Sequence, residues 1–226
     1  RKANAFNPKA IALAESFRDQ ALIAIENTRL FNETQEALER QTATAEILKV
    51  MAASPAEVQP VFDAIVRSGS ALLRNSRVVL WLREGQCLRA CANSAGPEAA
   101  LALGTIDLDR SSPIGACMLD AQQLHLHDLA AAADQYPLVR DRILNLGYHS
   151  GIFTPLTHEG QAIGGLAVLQ PQRGAFSAED EALLRTFADQ AVIAIQNARL
   201  FRETNEALER QTATAEILAV ISESPT

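Results

Sequence analysis

Two hydrophobic periods alternate along this chain. From residue 9 to about residue 53 apolar positions return every three or four residues, with no Gly and no Pro between them. About 45 residues of helix would span roughly 68 Å. The segment is rich in Ala, Leu, Glu, Gln and Arg, all strong helix formers. Asn7 suits an N-cap and Pro8 a first helical position. Ser54-Pro55-Ala56-Glu57 predicts a stop and a restart, with Ser54 as cap, Pro55 in the first turn and Glu57 closing a capping box. The new helix is expected to run to about Arg74, with Val58, Val61, Phe62, Ile65, Val66, Leu72 and Leu73 as its apolar stripe.

The period then falls to two. Residues 77–94 read as two strands around Arg83-Glu84-Gly85-Gln86. Short helices are expected at 98–103, 113–123 and 138–146, and extended segments at 105–112 and from 124. Residues 149–171 read as a hairpin of apolar strands around Glu159-Gly160. Ser177, with Asp180 three positions on, caps a second long helix. Hairpins flanked by terminal helices predict an α+β fold: a central antiparallel sheet of five to six strands, end helices on one face, and long coiled-coil-type helices at both ends.

The two long helices are copies of each other. LFNETQEALERQTATAEIL, residues 30–48, returns as LFRETNEALERQTATAEIL, residues 200–218. Roughly three quarters of the positions 17–55 recur at 187–225, a shift of about 170 residues. The period divides the chain into the end of a preceding unit with its connecting helix (1–54), a domain core (55–176), and a closing helix that runs on as a connector (177–226). The opening residues RKANAFNPKA read as the interior of a longer protein. In heptad reading the second copy gives a seam at Phe187, Ala191, Ala194, Ala198, Phe201, Asn205, Leu208, Thr212 and Ala215. Of these, the stretch from Ala194 to Ala215 is expected to hold a parallel homodimer. The seam is poor in Leu and Ile.

Net charge of −7 and pI near 5.2 argue against nucleic acid and anionic lipid as partners, since both reward clustered Lys and Arg. No apolar run approaches the roughly 20 residues of a membrane span. Three cysteines, Cys87, Cys91 and Cys117, without a C-x-x-C pair predict reduced thiols and a cytoplasmic setting.

Residues 147–201 carry a strand ending in Pro155-Leu156, a glycine turn, Ile163-Gly164-Gly165-Leu166, then Phe176-Ser177 and LLRTFADQAVIAIQNA. This combination resembles the GAF domain, and the resemblance reaches back to about Glu46. Residues 6–31 resemble the end of an upstream GAF domain. LERQTATAEIL resembles the signalling helices that join sensor modules in bacterial histidine kinases and nucleotide cyclases. The resemblance implies a GAF/PAS-like sheet and a non-catalytic sensory module. It also implies a homodimer through the long helices, with neighbouring GAF units and a distant output domain, in two-component signalling.

Family ligand motifs are incomplete. Phe176, Asp180 and Glu181 fit half of a cyclic-nucleotide motif, but Val168-Leu169-Gln170-Pro171 stands where its Asn-Lys pair belongs. Bilin-binding members attach their chromophore to a Cys often followed by His; Cys117 is followed by Met118. Cys117, near the start of a short helix, could carry a lowered pKa suited to redox sensing. Gly115-Ala116-Cys117 is similar to part of the free methionine sulfoxide reductases, but the segment where their catalytic Cys stands has none. His125 and His127 share a strand face and, with Cys91 or Asp128, are the one weak metal or haem signal; no metal ligand set emerges. Gly164-Gly165 points to close backbone packing.

The family places a pocket between the sheet and the short helices. Its candidate walls are Trp81, Arg89, Cys91, Cys117, His127, Asp128, Tyr136, Arg140, Tyr148 and Phe153. No cofactor is required by the sequence, and its identity is left unknown. The competing readings are a non-sensing spacer in a GAF array, a receptor for a nucleotide, haem or tetrapyrrole, and the reductase.

Overall fold

The computed structural model describes residues 8–223 apart from Asn75 and Ala175, with the backbone alone for Pro8, Ala10 and residues 215–223. The predicted N-cap at Asn7 lies outside the described residues, as does the side chain of Ala215. Helix α1 spans Pro8–Ala53. Two compact units divide the chain, Arg1–Thr42 and Ala43–Thr226.

The second unit holds the sheet. Strands β1 (Arg77–Glu84), β2 (Cys87–Asn93), β3 (Thr105–Asp107), β4 (Leu124–Leu126), β5 (Ser150–His158) and β6 (Gln161–Gln170) pair in the order β3-β2-β1-β6-β5-β4, every pair antiparallel. Both predicted hairpins are present. Glu159 and Gly160 take φ of 51° and 79°, the left-handed pair a tight two-residue hairpin turn requires.

Alternation along the central strands sends side chains to two separate cores. Val78, Leu80, Ile152, Leu166 and Val168 face helices α2 (Gln59–Leu72) and α5 (Ala178–Glu223), together with Ala43, Ile47 and Met51 at the end of α1. Val79, Trp81, Phe153, Ala167 and Leu169 face the opposite way, toward α4 (Pro113–Asp120) and the loop that follows β4. The expected packing of end helices on one sheet face is therefore present. Gly165 faces α4 at close range: a Cβ there would stand 2.6 Å from Ile114 Cδ1, so that side chain would have to turn aside.

The cap of α5 forms as the sequence predicts. Ser177 N–H donates to Asp180 Oδ2 at 2.9 Å, and Asp180 N–H donates to Ser177 Oγ at 3.1 Å. The cap expected at Ser54 does not form. Residues 54–57 make a turn closed by Glu57 N–H to Ser54 O, and α2 starts at Gln59 without a side-chain cap. Pro60 is the reason. A helix begun at Pro55 would hold Pro60 in its interior, where it lacks an N–H and clashes with the preceding turn; at the start of α2 it costs nothing.

The predicted dimer seam needs one correction. Ala194 and Ala198 are buried within this subunit's own fold, so neither is free for a second chain. Phe201, Asn205, Leu208 and Thr212 are exposed.

Phe187 is fully buried where α5 meets the sheet. Phe187→Ala should destabilise the domain by about 3–5 kcal/mol, the range for a large buried aromatic. Ser177→Ala should remove about 1 kcal/mol through the lost cap. Urea unfolding followed by circular dichroism measures both; an unchanged midpoint for Phe187→Ala would contradict this packing.

Candidate functional site

A cavity of about 480 Å³ lies on the sheet face away from the long helices, within the range of small-molecule sites. Its floor is Val79, Trp81, Phe153, Ala167 and Leu169 from the central strands. One wall is Ala99, Ala102 and Leu103 of α3 (Pro97–Leu103), with Ile106 of β3. The other wall is Leu138, then Arg142 and Ile143 of a π-helical turn at Val139–Ile143, and Leu146 of a 3₁₀ turn at Leu144–Leu146. That wall is pinned by Leu138 N–H to Ser111 O at 3.0 Å. Arg142 and Leu146 are exposed at the rim.

The lining is mainly apolar, with its polar groups set on a few residues. Arg77 donates from Nε to Tyr148 Oη at 3.0 Å and from Nη1 to Asn93 Oδ1 at 3.1 Å. Both partners are neutral, so neither bond brings a counter-charge to the guanidinium. Among the described residues Arg142 has no carboxylate partner. Ser112 also lines the wall, but its Oγ accepts from Gly115 N–H as the cap of α4.

Trp81, Tyr148 and Phe153 line the cavity; the other seven sequence candidates do not. Arg89 sits opposite Leu82 across the hairpin, so alternation turns it from Trp81's face, and it pairs with Glu84 at 2.5 Å. Cys91 is buried in the helix-side core. Cys117 and Tyr136 pack inside the loop-side core without reaching the lining. His127 is exposed with its ring 4.0 Å from that of His125. Asp128 faces Arg173 at 3.4 Å, and Arg140 pairs with Asp134. Arg77 and Arg142, the charged lining groups, were missed. Arg77 was within reach, because it shares strand parity with Val79 and Trp81.

The other motif residues are engaged in the fold. Phe176 is buried, Asp180 closes the α5 cap, and Glu181 accepts from His125. Among the described residues no three His, Cys, Asp or Glu are placed to hold a metal ion. Cys117 lies in the middle of α4, with Sγ 3.3 Å from Phe153 O, and burial pushes its thiol up to about 12. That overturns the expected lowered pKa. Cys117 should resist a thiol reagent at neutral pH while native and react once unfolded, with half-buried Cys87 modified first. Rapid native labelling of Cys117, read by peptide mass spectrometry, would contradict its burial.

His125 couples β4 to α5. Phe176 N–H donates to its Nε2 at 3.2 Å, which leaves Nδ1–H to donate to Glu181 Oε1 at 3.2 Å. Burial, then the neighbouring His127, lowers the His125 pKa from 6.5 against the opposing pull of Glu181. The unfolded imidazole therefore binds protons more readily than the folded one. This contribution is complete above about pH 6.5 and is lost as pH falls toward the folded value. His125→Asn should flatten the pH dependence of stability below 6.5; an unchanged slope would show that His125 does not set it.

The sequence profile of the GAF domain family matches residues 57–195. A comparison with curated protein sequences gave no match. Among solved structures, residues 122 to 287 of a methyl-accepting chemotaxis protein are 23% identical, with TM-score 0.58 over 70% of this chain and 98% of that one. The GAF domain of an Acinetobacter phosphoenolpyruvate-protein phosphotransferase is 18% identical, with TM-score 0.61 over 74% of this chain and 95% of that one. Free methionine-R-sulfoxide reductase from Neisseria meningitidis, in complex with its substrate, is also 18% identical, with TM-score 0.60 over 74% of this chain and 93% of that one. At such identities these likenesses speak for the fold alone. With its six-stranded antiparallel sheet, its helix layer and a profile match over more than half its length, the chain belongs to the GAF domain family.

Proposed function

We propose that this GAF domain is a sensory module whose cavity takes a small molecule with an apolar body and one anionic group. The observation that carries the reading is the pair Arg77 and Arg142 beside an otherwise apolar cavity, neither engaged with a carboxylate among the described residues. An apolar body would lie on Trp81, Phe153, Ala167 and Leu169. The anion would meet Arg142 at the rim or Arg77 and the Tyr148 hydroxyl at the sheet, where charge-assisted hydrogen bonds are strongest.

The response would pass through the sheet to α5. Ala167 and Leu169 face the cavity, while their neighbours Leu166 and Val168 face α5. In our reading α5 pairs in parallel with its copy in a second chain and biases a distant catalytic output domain, a histidine kinase or nucleotide cyclase. The pairing face starts from Ile193, Leu200, Phe201 and Leu208, which stay exposed on this subunit, in place of Ala194 and Ala198. No helix among the described residues is long and apolar enough to cross a membrane.

Dodecanoate and dodecanol, titrated calorimetrically into the whole chain, test the cavity. Dodecanoate should bind saturably at one site, about 10–100-fold more tightly than the alcohol, the worth of a hydrogen bond to a charged group. Arg142→Ala together with Arg77→Met should erase that difference, and Ala167→Leu should fill the floor and abolish binding. Absence of saturable binding by either compound would favour a non-sensing spacer.

A further inference from the structure

The repeated helix can be compared with itself in two environments. Leu13 and Leu183 are the same residue at the same place in the repeat, yet one is 58% exposed and the other 7%. Phe17 and Phe187 differ more, 63% against 0%. Ala21 and Ala24 are exposed, whereas Ala191 and Ala194 are buried. In the second copy these four positions form the stripe that packs on Val78, Leu80, Leu166 and Val168 of the sheet.

Other apolar positions behave differently. Ile23, Leu30, Phe31 and Leu38 are exposed, and so are their equivalents Ile193, Leu200, Phe201 and Leu208. Exposure in the first copy is therefore not uniform in meaning. The stripe is bare only where a sheet is lacking, and Leu22 and Ile25 beside it are likewise more exposed than Val192 and Ile195, whereas Ile23, Leu30, Phe31 and Leu38 are bare in both copies. The opposite end of the repeat shows the reverse. Ala43 is buried in the helix-side core, while Ala213, its equivalent, is exposed.

We propose that the α1 stripe Leu13, Phe17, Ala21 and Ala24 is the seat of a second GAF sheet of this type, lying ahead of this domain in the same chain. Each repeat helix then serves two domains. Its first half closes one sheet as α5 does here, and its second half, from Ala43 or Ala213, opens the helix layer of the next. The inference rests on the repeat and on burial, and stands apart from what the cavity holds. A helix face that leaves Leu13 and Phe17 exposed calls for a covering surface. Here the covering surface is specified by what covers the identical residues 170 positions on.

The test is the full chain extended by one domain, residues 43–176 joined ahead of residue 7, the position equivalent to 177. Amide exchange is followed at 13–24 and 183–194. In the unextended chain 13–24 should exchange at least about a hundredfold faster than 183–194. In the extended chain the two segments should become equally protected, and the added strands should be protected too. Within the extended chain Phe17→Glu should unfold the added domain and spare the resident one, while Ile23→Glu should spare both. Without the extension, Phe17→Ala should leave the unfolding midpoint unchanged. Three results would overturn the proposal: an added domain that does not fold on α1, an added domain that folds while 13–24 stay fast, or concentration-dependent protection of 13–24 in the unextended chain, which would assign the stripe to chain pairing.

Discussion

The structure depends on one sheet being buried on both faces. Val78 and Leu80 pack against helices, whereas Val79 and Trp81, one residue away, pack against loops and a short helix. Two cores thus share a single layer of backbone. Neither core survives a slip in register, because a shift of one residue exchanges every side chain between them. Gly165 lies on the second face of the same layer, with the end of the Ile114 side chain packed closely over it.

The two faces of the sheet are covered differently. The helix side is filled by apolar residues from three helices. The loop side is covered by short elements and leaves a cavity, with Arg77 and Arg142 as its charged groups. A molecule entering the cavity would press on Ala167 and Leu169, and the same strand carries Leu166 and Val168 against α5. Between the cavity and the helix layer stands a single layer of backbone. Packed interiors transmit such displacement because they have little free volume to absorb it.

Much of the fold was legible in the sequence, because its signals were local. Period-two runs around Gly85 and Glu159-Gly160 set the hairpins, and Ser177 with Asp180 fixed the start of α5. The start of α2 was misplaced because Ser54-Pro55 is a good local signal that Pro60, five residues on, overrides. The site was much less legible. Candidates were drawn from residues that carry familiar chemistry, His and Cys above all, and the fold uses His125, Cys91 and Cys117 for packing and bracing. Parity along the hairpin excludes Arg89 from the Trp81 face and admits Arg77. Arg142 offered no such signal, since it lies on a π-helical turn, where strand parity does not apply. A heptad pattern also does not distinguish a position covered by a second helix from one buried in the subunit's own fold, as Ala194 and Ala198 are.

The central claim is that the cavity and α5 are coupled across the sheet. Hydrogen–deuterium exchange of the whole chain, with and without saturating dodecanoate, tests it most directly. Coupling predicts slower exchange in β1, β6 and the first five turns of α5, beyond the slowing expected in the cavity walls. Binding that slows exchange at residues 97–148 and leaves β6 and α5 unchanged would contradict the account.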